Sequence, residues 1–113
     1  MVDVITEFIA ENYRADLSIG SIAQAVGLNA SYMQKLFVKR MGNTVYDYLT
    51  WLRVDTAVRL MRDTDMAFDD IAGEAGFNNR QTFFNAFKAT TGYNPKLFKK
   101  YIATRTSALL EVH

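Results

Sequence analysis

The sequence predicts an all-α fold of about seven helices: two helix-turn-helix subdomains joined by a long central linker helix. Three observations point there. First, one pattern occurs twice. Ile22-Ala23, Gly27 and Asn29 return as Ile71-Ala72, Gly76 and Asn78, a shift of 49, while Phe37 and Gly42 return as Phe87 and Gly92, a shift of 50. One residue is therefore inserted between the middle glycine and the phenylalanine, and Leu28/Phe77, Met33/Phe83 and Tyr48/Phe98 are conservative matches. Second, apolar residues recur at helical spacing throughout, with no period-two strand, linker or low-complexity tract. Third, 113 residues that are 50% hydrophobic suffice for one domain or two very small ones sharing an element.

The elements follow in order. Residues 2–15 place Val4, Ile5, Phe8, Ile9 and Tyr13 at helical spacing. Ser18 is an N-cap candidate for a short helix that ends at Gly27 and buries Ile19, Ile22, Ala23 and Val26. Gly27 suits the left-handed residue that follows a helix. Asn29 caps a helix over about 30–41, with Met33, Leu36 and Phe37 inward, and Gly42 stops it. A long helix follows over 44–62, with Val45, Tyr48, Leu49, Leu52, Ala57, Leu60 and Met61 inward, and Asp63-Thr64-Asp65 breaks it.

The second copy has helices at about 68–75 and 79–91, a turn at Gly76 and a stop at Gly92. Asp69 and Asp70 in the first turn complement the helix dipole. Asn94 as cap and Pro95, the sole proline, as first helical residue start a last helix to about 105. The resulting division is 1–43 for the first subdomain, 44–62 for the linker helix, 63–106 for the second subdomain, and 107–113 for a tail expected to fray.

Composition narrows the classes of function. There is no cysteine, so neither a disulfide framework nor a thiolate metal site is available, which fits a reducing cytosol. Met1–Phe8 has two acids and no base, unlike a signal peptide. No apolar run approaches the roughly 20 residues of a membrane span. The one histidine is the terminal His113 and no glycine-rich phosphate loop occurs, so no enzyme and no cofactor are expected. Asp63, Asp65, Asp69 and Asp70 lack the spacing and closing Glu of a calcium loop and read as a solvated turn and helix start, so no metal is expected.

Net charge is +1 but unevenly spread. Residues 1–27 carry four acids and one base, and 47–75 carry seven acids and three bases. Residues 28–46 carry three bases (Lys35, Lys39, Arg40) and no acid; residues 76–113 carry six bases (Arg80, Lys88, Lys96, Lys99, Lys100, Arg105) and one acid. The basic stretches occupy equivalent places in the two repeats, as expected of a polyanion binder. A solvated surface is the plainer reading of charge clusters taken alone.

Two helices joined by a short glycine turn form a helix-turn-helix, in which the second helix lies in the DNA major groove. Such a helix needs a polar face opposite its core stripe. Ser31, Gln34, Lys35 and Val38 point away from the first stripe; Arg80, Gln81, Phe84, Asn85 and Lys88 point away from the second, Phe83-Ala86-Phe87. Gln, Asn, Arg and Lys read adenine and guanine edges. Phe84 on that face has two readings, a thymine methyl contact or packing on a neighbour. The linker helix, about 28 Å long at 1.5 Å per residue, is of the length to hold two reading heads roughly one DNA turn apart.

These residues resemble the AraC/XylS transcription regulators, specifically their DNA-binding domain with two helix-turn-helix units. The resemblance covers about 4–103. Its most specific stretch is Ile71-Ala72-Gly73-Glu74-Ala75-Gly76-Phe77, then Phe83, Phe87-Lys88, Gly92-Tyr93-Asn94-Pro95 and Phe98. Tyr48-Leu49, Arg53, Ala57 and Leu60 are similar to the family's linker helix. The resemblance implies two recognition helices in adjacent major grooves of double-stranded DNA, and regulation of transcription in the bacterial cytoplasm, at the nucleoid. Carried over by position, the base-reading candidates are Ser31, Gln34 and Lys35, then Arg80, Gln81 and Asn85. The phosphate candidates are Lys39, Asn43 and Thr44, then Lys88, Asn94 and Lys96. Arg53 is expected to pair with an acid between subdomains rather than with DNA. Asn85 departs from the family, where that position is often basic. The resemblance also implies a separate sensing and dimerising domain outside this chain, and RNA polymerase as a partner of activators, with acidic patches on the first helix and around 63–74 as surfaces. A helical protein-binding adaptor is the competing class. It accounts for helices and aromatics but not for the doubled polar-basic face.

Overall fold

A computed structural model describes residues 1–112, with side chains described for 1–103; His113 lies outside the described residues. Seven α-helices and no strands make up the described chain: α1 (Val2–Asn12), α2 (Ile19–Val26), α3 (Ala30–Met41), α4 (Val45–Asp63), α5 (Phe68–Ala75), α6 (Arg80–Thr91) and α7 (Pro95–Val112). The chain divides into two compact units, Met1–Arg53 and Val54–His113. The linker helix α4 is thus not a segment apart, because its two halves are built into the two units. The backbone of α7 is helical through Val112, past the residue near 105 where the sequence suggests an end.

The first unit packs α1, α2, α3 and the start of α4 around Ile5, Ile9, Ile22, Ala23, Met33, Phe37, Val45 and Leu49, all buried. Spacings of four (Ile5/Ile9, Met33/Phe37, Val45/Leu49) bring each pair onto one side of its helix. Phe37 meets Tyr48 edge to face, with ring centroids 5.8 Å apart. Val4, read as part of the α1 stripe, is about half exposed instead.

Helix ends follow the sequence signals closely. Ser18 and Ser21 form a capping box, with the Ser21 amide donating to Ser18 Oγ at 3.0 Å and the Ser18 amide donating to Ser21 Oγ at 2.9 Å. Gly27 follows α2 at φ 74°, and the Leu28 amide reaches back to the Ala23 carbonyl at 2.9 Å. Asn29 Oδ1 then accepts the Tyr32 amide at 3.2 Å and starts α3.

Arg53 has a different role from the one expected. Its Nε donates to the Tyr13 carbonyl at 2.8 Å and one terminal nitrogen donates to the Ala15 carbonyl at 2.9 Å. These carbonyls follow the C-terminus of α1, where backbone acceptors have no partner within the helix. Arg53 therefore ties α4 to the end of α1 inside one unit. Burial lowers its pKa from the ordinary value, and the nearby Tyr46 and Asp16 act in the opposite direction.

The second unit packs Val54, Ala57 and Met61 of α4 with Ile71, Ala72, Ala75, Phe77, Phe83 and Phe87. Val54 was not read as a core residue from sequence. Its aromatic centre is a chain of tilted and edge-to-face contacts: Phe77–Phe83 at 5.5 Å, Phe83–Phe87 at 5.8 Å and Phe87–Phe98 at 5.3 Å. Thr56, buried in α4, accepts from Arg59 at 3.3 Å. Gly76 follows α5 at φ 98°, and the Phe77 amide reaches the Ala72 carbonyl at 2.8 Å, as in the first unit. The cap of α6 is Asn79, whose Oδ1 accepts the Thr82 amide at 2.8 Å. The extra residue of the second repeat thus lies between Gly76 and Asn79, and the true counterpart of Asn29 is Asn79 rather than Asn78.

Candidate nucleic-acid interface

In each unit one short helix precedes a left-handed glycine, and an asparagine cap then opens the helix that carries the candidate reading residues. Burial of Met33 and Phe37 leaves Ser31, Gln34, Lys35 and Lys39 of α3 exposed. Gln34, Lys35, Val38 and Lys39 together line a shallow, open hollow of about 400 Å³ on that outer face. Val38, which sequence reading only placed away from the core, is 44% exposed there and is the apolar member of the group. Gln34 Nε2 donates back to the Ala30 carbonyl at 3.4 Å. Arg40, from the same basic stretch, lines a different hollow with Met1, Val2, Asp3 and Leu36, so the stretch splits between two faces.

Burial of Phe83 and Phe87 likewise leaves Arg80, Gln81, Asn85 and Lys88 of α6 exposed. Here the side chains engage one another. Gln81 Nε2 donates to Asn85 Oδ1 at 2.9 Å. Arg80 Cζ lies 5.1 Å from the Phe84 ring centroid and 5.6 Å from that of Phe68, and its Nε is 4.0 Å from Asp69 Oδ1. Phe84 is half-buried and packs at right angles on Phe68 and Phe83, which decides between its two readings in favour of a neighbour contact. Phe68 and Asp69 are residues of the site that sequence reading missed. They lie in the first turn of α5, and only the aromatic-acidic pair itself was available as a signal.

The phosphate candidates fall at helix starts and on exposed helix faces. Thr44 Oγ1 accepts the Asp47 amide at 3.0 Å while the Thr44 amide donates to Asp47 Oδ2 at 3.3 Å, a reciprocal cap at the start of α4. Asn94 Oδ1 accepts the Lys96 amide at 2.8 Å at the start of α7. Asn43, Lys88 and Lys96 are exposed. Thr44 and Asn94 are equivalent by the shift of 50, so both units end in the same arrangement: a glycine at φ 80° or 83°, then a capped helix start. Among the described residues no helix is long and apolar enough to cross a membrane, and no three His, Cys, Asp or Glu side chains gather as a metal set.

A family model described as a helix-turn-helix domain matches residues 22–101. The chain is 38% identical over 93 residues to the melibiose operon regulatory protein of Escherichia coli K12, covering 82% of this chain and 31% of that protein. It is 33% identical over 99 residues to AdaA of Bacillus subtilis, a bifunctional transcriptional activator and DNA repair enzyme, covering 88% of this chain and 47% of that one. The chain therefore spans about a third of the first relative and just under half of the second. Its fold superimposes on the DNA-binding domain of AdpA, solved in complex with a target DNA, with a TM-score of 0.86 at 19% identity over 92% of this chain and 94% of that one. With its doubled helix-turn-helix unit and the family match across both copies, the chain belongs to the AraC-type family of helix-turn-helix DNA-binding domains.

Proposed function

We propose that this domain binds double-stranded DNA at chosen sequences and regulates transcription, with α3 and α6 as its two recognition helices. The observation that carries the reading is the doubled unit itself. Each copy anchors its second helix by two buried residues four apart and leaves the opposite face polar and exposed. Ser31, Gln34 and Lys35 read bases for the first unit and Arg80, Gln81 and Asn85 for the second. Lys39, Asn43, Thr44, Lys88, Asn94 and Lys96 hold phosphates, which gives affinity and register, while base edges give sequence choice. The start of α4 suits phosphate because the first amides of a helix lack backbone partners within it. By contrast, α7 opens on Pro95, which has no amide hydrogen, and its Lys96 amide is already held by Asn94, so phosphate there falls to the Lys96 ammonium.

The relatives are longer than this chain, and they are regulators for the most part. On that basis the domain works beside a separate sensing and dimerising domain in a bacterial cytoplasm, at the nucleoid, and RNA polymerase is a second partner. The repair activity belongs to AdaA, of which this chain matches just under half.

Selection from a random duplex library, followed by titration of the winner at several salt concentrations, tests the reading. A bipartite motif with halves about one helical turn apart and a steep salt slope is the expected result. A motif confined to one half assigns the other unit to anchoring. No enrichment and no salt-dependent binding would sink the DNA reading and favour a protein-binding adaptor.

A further inference from the structure

The two recognition helices are not chemically equivalent, and the difference centres on one arginine. Arg80 lies over the ring of Phe84 at 5.1 Å and near that of Phe68 at 5.6 Å. The two rings meet each other at 5.4 Å and 88°. Phe84 also meets the fully buried Phe83 at 5.5 Å and 80°, which fixes the seat to the core. Fifty positions earlier, in the first unit, Ala30 stands where Arg80 would be and Gln34 where Phe84 would be.

From this arrangement we infer that Arg80 is the specificity-determining residue of α6, directed at a guanine, and that Phe84 is its positioning residue. The inference rests on the DNA reading above. Arginine reads guanine by paired donation to O6 and N7. A ring face attracts the cation through its quadrupole and uses none of the five guanidinium N–H donors. The seat therefore restricts a long side chain before DNA arrives while keeping its donors for the base. Asp69, 74% exposed and 4.0 Å away, holds the guanidinium only loosely. The other two candidates on α6, Gln81 and Asn85, are bonded to each other at 2.9 Å, so each meets DNA with part of its hydrogen-bonding capacity already used.

The test is a random-duplex selection on the full chain and its variants, scored as base preference at each position and paired with melting temperatures. Arg80→Ala should erase a guanine preference at one base pair, a change of between about fivefold and a hundredfold. Phe84→Leu should weaken preference at that same pair roughly two- to fivefold, leave other positions unchanged, and add nothing to Arg80→Ala in the double variant. Phe84→Tyr, which keeps the ring, should retain the preference. Phe68→Leu removes the other ring and serves where Phe84→Leu fails to fold. A Phe84→Leu loss equal on all sequences, or losses that multiply in the double variant, would overturn the positioning role. Unchanged base preference in Arg80→Ala, with salt-dependent binding intact, would overturn this inference and leave the DNA reading standing. Absence of salt-dependent binding by the unsubstituted domain overturns both.

Discussion

Arg53 Nε donates to the Tyr13 carbonyl oxygen at 2.8 Å across forty positions of sequence, and the same guanidinium reaches the Ala15 carbonyl at 2.9 Å. One side chain thus supplies the donors that the end of α1 lacks. Hydrogen bonds from a charged donor contribute more than neutral ones, so Arg53→Ala should cost roughly 1–3 kcal/mol of stability, discounted for partial exposure. Arg53→Lys should fall between, because an ammonium does not present the flat fork that spans two carbonyls. Thermal unfolding checks both. Base preference in DNA selection should not change in either variant, since Arg53 is committed to the backbone of its own unit.

Gly27 sits at φ 74° with nothing within 4 Å of the place a Cβ would occupy. Any loss on substitution therefore comes from backbone conformation and not from crowding. Gly27→Ala should cost about 1–2 kcal/mol, and the β-branched Gly27→Val somewhat more. The loss should appear as a lower melting temperature before any DNA is added. An unchanged melting temperature would mean that the turn relaxes to another shape.

Gln34→Ala should relax base preference at a single position, at roughly 1–3 kcal/mol, because an amide side chain reads one base edge. Lys96→Ala should weaken all sequences alike and reduce the salt slope by about one. Competition titrations against point-substituted duplexes separate the two patterns. Equal loss on every sequence for Gln34→Ala would remove it from the reading set.

Asn94 combines two duties that one substitution can separate. Its Oδ1 caps α7 by accepting the Lys96 amide at 2.8 Å. Aspartate caps a helix about as well as asparagine, so Asn94→Asp should leave the melting temperature nearly unchanged. The added negative charge should nonetheless weaken DNA binding on all sequences, most at low salt. Full retention of affinity would place Asn94 away from phosphate.

The parts of this fold that were legible are those where a single residue type answers a single backbone demand. Ser18, Asn29 and Asn94 were readable as caps because few side chains can accept a first-turn amide. Gly27 and Gly76 were readable because the left-handed residue excludes most side chains. Asn79 was harder, because two asparagines stand side by side and the repeat changes its offset there. Val54 was missed for a geometric reason. Buried positions in α4 step by four from Val45 to Leu49 and by five to Val54, which turns about 140° off the stripe. Of the candidate interface, the exposed polar positions were legible from the core stripe alone. The seat beneath Arg80 was not, because it joins the first turn of α5 to α6 and no periodicity records a contact between helices.

The displaced residue in the second turn has a practical consequence for exchanging the two heads. The short helices α2 and α5 correspond at an offset of 49, whereas α3 and α6 correspond at 50, with Met33 and Phe37 matching the buried Phe83 and Phe87. A chimera that grafts α6 reading residues onto α3 must be drawn in the second register. Drawn in the first, every transplanted side chain would be rotated by about 100° around the helix. Phe83 would then land on Gln34, in open solvent, and Thr82 would land on Met33, in the centre of the core.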